Sequence, residues 1–288
     1  MRPSNRAAAG FAPVLWALIR ISGLLLLVFT IGHLAVMHYL NTPSATRAAF
    51  VARRWHSVFW LGFDWLLLIL ALVHGLAGIQ TIVEDSVRAI GPRRAVAGTL
   101  LLLALAMAVL GTWNIATFDP VRLASGRGPL SGHYWLATGL VGILTLLATA
   151  TYLAGVVAAA IALRRRMRGV PAGVWGFLSH WARLLHRISG VGIVIFLMIH
   201  VLDLLLLPLA PDLYDRTVAA YGHVYLIPME VALVAAVLYH ALNGIRITVV
   251  ERGDLAMRRR QGQLWYGVLV LTFLLLMPSI AVLLRAIR

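Results

Sequence analysis

Seven stretches of this chain are long and apolar enough to cross a lipid bilayer: roughly 12–40, 57–85, 95–117, 133–163, 187–209, 223–250 and 264–286. A spanning helix needs about 20 such residues. Hydrocarbon offers no partner to an exposed backbone N–H or C=O, so only helices and closed barrels span it. The runs therefore predict an all-α membrane protein of about seven transmembrane helices. With 61% hydrophobic and 12% charged residues among 288, the chain is far from a soluble average. No small-residue cleavage site follows the first run, which reads as a retained helix rather than a signal peptide.

The formal charge of +15 comes from arginine alone, because the chain has no lysine. Fourteen arginines, among them Arg88, Arg93, Arg94, Arg164, Arg165, Arg166 and Arg168, flank one side of the predicted helices, against eight on the other. Positive loops stay inside. That rule puts the N-terminus and the loops after the second, fourth and sixth runs in the cytoplasm, and the C-terminus outside, with the chain in the cell's inner membrane. The charge is spread over loops that meet lipid headgroups rather than gathered on one face, which argues against a nucleic-acid partner.

An internal repeat organises the apolar runs. Arg20-Ile21-Ser22-Gly23 is followed by His33, and Arg187-Ile188-Ser189-Gly190 by His200, with 13 residues from Arg to His in both. In the runs that follow, His74 and His240 each precede a glycine by 4 residues (Gly78, Gly244) and an acid by 11 (Asp85, Glu251). The copies are offset by 167 residues for the leading element and 166 for the following one. Fixed self-similarity of this kind marks duplicated structural units. The expected organisation is a three-helix unit over 1–118, a loop, connector helix and basic linker over 119–176, and a second three-helix unit over 177–288. A repeat of three helices would insert its second copy upside down. The featureless fourth helix restores the parity. The third run, with Gly98, Ala104, Ala106 and Gly111, reads as a packing helix, and 177–185 as an amphipathic approach to the fifth.

Helix polarity sorts the four histidines by depth. At ~1.5 Å per residue, His33 lies about 10 Å to the outer side of the midplane and His74 about 5 Å to the inner side. His200 and His240 repeat those displacements. Two levels result, an inner pair (His74, His240) and an outer pair (His33, His200), each drawn from two helices. Ionisable groups inside a bilayer are candidates for function. Neutral imidazole is a good axial ligand for haem iron, and facing helices can each supply one. Gly78 and Gly244, one turn from the inner histidines, leave space for a flat macrocycle. Two separate levels do not make one zinc site, the absence of cysteine excludes an ordinary iron–sulphur cluster, and no glycine-rich dinucleotide fingerprint follows a strand. Electrons at the cytoplasmic face must then be exchanged with another subunit.

These residues resemble the membrane cytochrome b anchors of succinate dehydrogenase and fumarate reductase. His186-Arg187-Ile188-Ser189-Gly190 is similar to the entrance motif of that family's large anchor, and Tyr239-His240-Ala241-Leu242-Asn243-Gly244-Ile245-Arg246 to its haem-ligating helix. The first half, with Arg20, His74 and Asp85, resembles the small anchor. The resemblance implies the two anchors fused in one chain, and a haem b between His74 and His240. It implies a second haem b between His33 and His200, and a flavoprotein and an iron–sulphur subunit bound on the cytoplasmic side, with higher oligomers of the complex open. The chain departs from the pattern at Ile247, where a histidine is often found, at Ser86, where a quinone-bonding tyrosine is common, and at Arg183, where a serine is common.

Quinone, whether ubiquinone or menaquinone, has candidate sites at both ends. The inner candidates are Arg20, Asp85, His186, Arg187 and Ser189, although Arg20 and Arg187 equally suit haem propionates. The outer candidates are Asp64 and Glu230, each 10 residues before an inner histidine, with His56 and His223 just ahead of them. The outer end is slightly favoured, because a second haem has purpose only if electrons travel outward. Two other classes share part of the pattern: the cytochrome b subunit of a hydrogenase, formate dehydrogenase or nitrate reductase, and a haem-free transporter built from repeats.

Overall fold

The structure is a computed structural model that describes residues 6–86, 89–121, 174–253 and 260–286, with positions 139, 142, 143 and 146 besides. The expected fourth helix and the linker at 164–173 lie outside the described residues. Among those described, nine α-helices run in chain order: α1 (Arg6–Leu34), α2 (Ala48–Trp55), α3 (Val58–Ser86), α4 (Ile90–Thr117), α5 (Val174–Leu204), α6 (Leu206–Leu209), α7 (Pro211–Ala220), α8 (Ile227–Arg252) and α9 (Gln261–Ala286). A π-helical turn, Ala35–Tyr39, continues α1, and a 3-10 turn, Pro43–Ala45, leads to α2.

Six helices meet the length and hydropathy of a membrane span: Trp16–Tyr39, Val58–Asp85, Ile90–Thr117, His180–Leu209, Ile227–Arg252 and Gln261–Arg285. They are apolar on all sides, as lipid requires. Large hydrophobic side chains such as Val28, Leu102 and Val109 stay 67–70% exposed, a surface suited to acyl chains and not to water. The protein is an all-α membrane bundle.

The two predicted units pack alike. α1 lies on α3 and α3 on α4, just as α5 lies on α8 and α8 on α9, and the halves meet through α3 with α5 and α1 with α8. Leu34 of α1 is buried with Val234 and Leu238 of α8. The third helix packs as expected: Met107 sits among Leu68, Val201, Leu202 and Leu205. A side chain at Gly111 would strike Leu68, so that glycine sets how closely α3 and α4 approach.

Two features differ from the expectation. The segment 177–185 is not a separate approach but the first turns of α5. Its apolar residues Leu178 and Ala182 are buried against Tyr239, Trp265 and Val268 of α8 and α9, so packing inside the chain continues the helix. The outer end, meaning the end of His33 and His200, carries short helices that no apolar run announces. Ala48, Val51 and Trp55 of α2 pack on Leu206, Leu207, Tyr214 and Val218. Asp215 of α7 accepts the Ala48 N–H at 2.7 Å, capping α2, and the Tyr214 hydroxyl donates to the Thr46 carbonyl at 3.1 Å. Helices this short are marginal alone. Each holds the other.

Candidate functional site

The bundle brings the four sequence-predicted histidines together in the predicted pairs. The rings of His74 and His240 are 6.1 Å apart at 90°, and those of His33 and His200 are 6.2 Å apart at 80°.

Each inner histidine is held in the same way by the leading helix of its own half. His74 Nδ1 lies 3.1 Å from the Ile19 carbonyl and His240 Nδ1 3.0 Å from the His186 carbonyl. A carbonyl can only accept, so Nδ1 carries the proton and Nε2 keeps its lone pair. The hydroxyl oxygens of Ser22 and Ser189 each sit 3.2 Å from the same Nδ1 atoms, while both serines also bond a carbonyl of their own helix. Glycine follows each serine for a steric reason. A Cβ at Gly23 would come within 3.0 Å of His74 Cε1, and one at Gly190 within 2.7 Å of His240 Cε1. The repeated Ser-Gly pair is thus a seat for an imidazole, a role the spacing alone did not reveal.

This arrangement fits a haem. Two metal–imidazole bonds of roughly 2 Å each, with the half-width of each ring added, would account for a separation of ring centres near 6 Å. A Cβ at Gly78 would meet nothing within 4 Å, so that glycine borders open space, whereas one at Gly244 would rest against His186 Cε1 at 3.6 Å. His74, His240, His33 and His200 are the residues that would hold iron.

The arginines of the repeat cross over. Arg20 pairs with Glu251 of the other half, and Arg187 with Asp85 of the other half. Arg20 also lies over the Trp16 ring, 4.1 Å from its centre. His186 stacks on His240 at 4.0 Å and 9°. Its counterpart in the first half is Ile19, so the side chain differs where the backbone role is the same. Ser189, one of the inner quinone candidates, lies against the His240 ring. Tyr239, Asn243 and Arg246, the other polar residues of the histidine-bearing motif, tie helices together. Tyr239 and Asn243 donate to the Ala182 carbonyl at 3.1 and 3.2 Å, and Arg246 to the Gln261 carbonyl at 3.1 Å.

The outer pair has no such symmetry. His33 Nδ1 stands 3.6 Å from Asp64, and His200 stacks on Phe196 at 5.5 Å. Asp64 is engaged on both oxygens, by the Arg54 guanidinium at 2.7 Å and the Trp55 indole N–H at 2.9 Å. Arg54 is buried, lies 4.2 Å from the centre of the Trp60 ring, and has its pKa pulled down by burial, against the pull of Asp64. In the sequence it is one more loop arginine. Its burial beside an acid is tertiary. Glu230 faces His38 across 3.7 Å, and Tyr221 donates to Asp203 at 2.6 Å, burial raising the tyrosine's pKa. His56 and His223 remain exposed, the latter stacked on Tyr225 at 5.4 Å.

Comparison with known proteins agrees with this architecture. The family described as the succinate dehydrogenase/fumarate reductase transmembrane subunit matches residues 6–115 and 164–276. The membrane subunit SdhC of succinate dehydrogenase 2 from Mycobacterium tuberculosis is 42% identical over 97 residues, which are 34% of this chain and 70% of the relative.

Proposed function

The chain belongs to the family of succinate dehydrogenase and fumarate reductase transmembrane subunits, and from that premise we propose that it is a di-haem cytochrome b in which large and small anchors are fused. It is a membrane subunit of such a complex. The finer reading has it pass electrons between a cytoplasmic iron–sulphur subunit, bound with the flavoprotein, and quinone in the inner membrane, its N-terminus in the cytoplasm and its C-terminus outside. The observation that carries this reading is the facing of two histidine pairs with near-equal separations, one in each level of the bundle.

A haem b at each pair would supply one-electron chemistry. The chain's own residues prepare the seats. The Ile19 and His186 carbonyls fix the ring orientation of the inner histidines and leave Nε2 free. Gly23 and Gly190 let those rings stand against the leading helices. At the inner end the crossed pairs Arg20–Glu251 and Arg187–Asp85 join the halves, and the arginines are placed to meet carboxylates of a bound group or a quinone carbonyl.

Purification of the assembled complex from detergent tests the proposal. A flavin-bearing and an iron–sulphur subunit should accompany the chain, and succinate should reduce a b-type absorbance. A chain that purifies with both partners but without b-type absorbance would contradict the cytochrome reading. One that purifies with a hydrogenase or formate dehydrogenase subunit would place it in the rival redox class.

A further inference from the structure

Each inner histidine is seated by its own half, through a carbonyl of the leading helix. His33 is not. Its Nδ1 is buried and makes no hydrogen bond, and the acid it faces is Asp64, 3.6 Å away. Buried unsatisfied polar atoms are rare in folded proteins and call for a reason. A carboxylate behind a ligating imidazole fixes the tautomer and the orientation of the ring. Asp64 can do so only while its carboxylate holds one direction. Two bonds set that direction, from the Arg54 guanidinium and the Trp55 indole N–H. Both donors belong to the last two residues of α2, so the backing of His33 depends on where α2 lies.

What fixes α2 comes from the other half. Eight residues are too few for a helix to persist alone. Arg47, at its N-cap position, makes no side-chain capping bond. The Ala48 N–H is one of the donors that a helix start leaves without a partner in the helix. Asp215 of α7 accepts it at 2.7 Å, a cap supplied from 167 residues away. The carboxylate also suits the positive end of the helix dipole. Its neighbour Tyr214 donates to the Thr46 carbonyl just before α2, and lies in one apolar cluster with Ala48, Val51 and Trp55. Only His56 and Ser57 separate α2 from α3, which leaves no long loop to absorb a displacement.

We propose that Asp215 is a positioning residue for the outer haem: by capping α2 it holds Arg54 and Trp55 on Asp64, and so orients His33 across the boundary between the halves. The inference rests on the cytochrome reading above and names what steadies one of its four ligands. The facing ligand supplies a contrast. His200 stacks on Phe196, one turn earlier on its own helix. None of the bonds that seat His74 and His240 involves α2 or α7.

The test compares Asp215→Ala with Asp215→Asn, which keeps an acceptor oxygen, in the purified complex. A cap of this kind shifts a helix's equilibrium about 2–30-fold, so amide hydrogen exchange in α2 should quicken by that order in Asp215→Ala. The outer haem should bind more weakly. Its low-spin electron paramagnetic resonance signal, which reads the angle between the two imidazole planes, should shift. The inner signal should stay in place, and Asp215→Asn should restore both outer readouts. Faster exchange in α2 with the outer affinity and signal unchanged overturns the proposal. So does an equal change at both haems, which would mean a general loss of stability. Either outcome leaves the cytochrome reading standing, whereas a complex without b-type absorbance removes that reading and the proposal with it.

Discussion

The inner and outer histidine pairs have almost the same ring separation, yet they are built differently. The inner pair is seated by neutral groups that both halves repeat: a carbonyl, a serine hydroxyl and a glycine. The outer pair is unequal. His33 is backed by an acid locked to a buried arginine, whereas His200 has an aromatic ring. Duplication gives two equal imidazole seats cheaply, because each uses its own half's backbone. Where the halves differ, as at Ile19 against His186, the residues are free to take separate tasks.

The largest expected effect breaks the outer lock. Arg54→Ala leaves Asp64 buried without its cation, and removing one partner of a buried pair costs about 3–5 kcal/mol. Arg20→Ala should cost about 0–1 kcal/mol, because its partner Glu251 is half exposed. Thermal unfolding of the two variants in detergent checks the contrast. Equal losses would mean that the outer lock is no more buried in function than the inner clamp.

A second comparison sharpens the inner seats. Gly190→Ala pushes a methyl to 2.7 Å from His240, against 3.0 Å for Gly23→Ala and His74. Overpacking of this kind costs about 1–3 kcal/mol. The inner b-type band should weaken or shift in Gly190→Ala, and less in Gly23→Ala, with the outer band intact in both. Visible spectra at low temperature resolve the two. Asp64→Asn removes the charge behind His33 but keeps its shape. Because it breaks the same buried pair from the other side, a stability loss like that of Arg54→Ala accompanies it. Loss of a supporting group behind a ligand lowers affinity about 10–100-fold, so haem titration should show weaker outer retention with the inner haem unchanged. Equal weakening at both levels would deny that the outer seat stands apart.

Much of this arrangement was legible in the sequence. Depth along a straight apolar helix depends on residue count alone, so spacing placed His33 with His200 and His74 with His240. The third run read as a packing helix because small residues set helix separation, and Gly111 does so against Leu68. The crossed ion pairs were not legible. Arg20 and Asp85 belong to one repeat, Arg187 and Glu251 to the other, and only the apposition of the halves exchanges partners. Nothing in the repeat marks His38, because Leu205 stands at the matching position of the other half. The short outer helices α2 and α7 have little apolar length of their own and exist through each other's contacts.

The central claim is that both histidine pairs hold haem. Haem per polypeptide, measured by pyridine haemochrome on the purified complex, tests it most directly. The account predicts two haems in the natural chain and one in His33→Ala, with the inner band retained. One haem per chain, unchanged in His33→Ala, would contradict it.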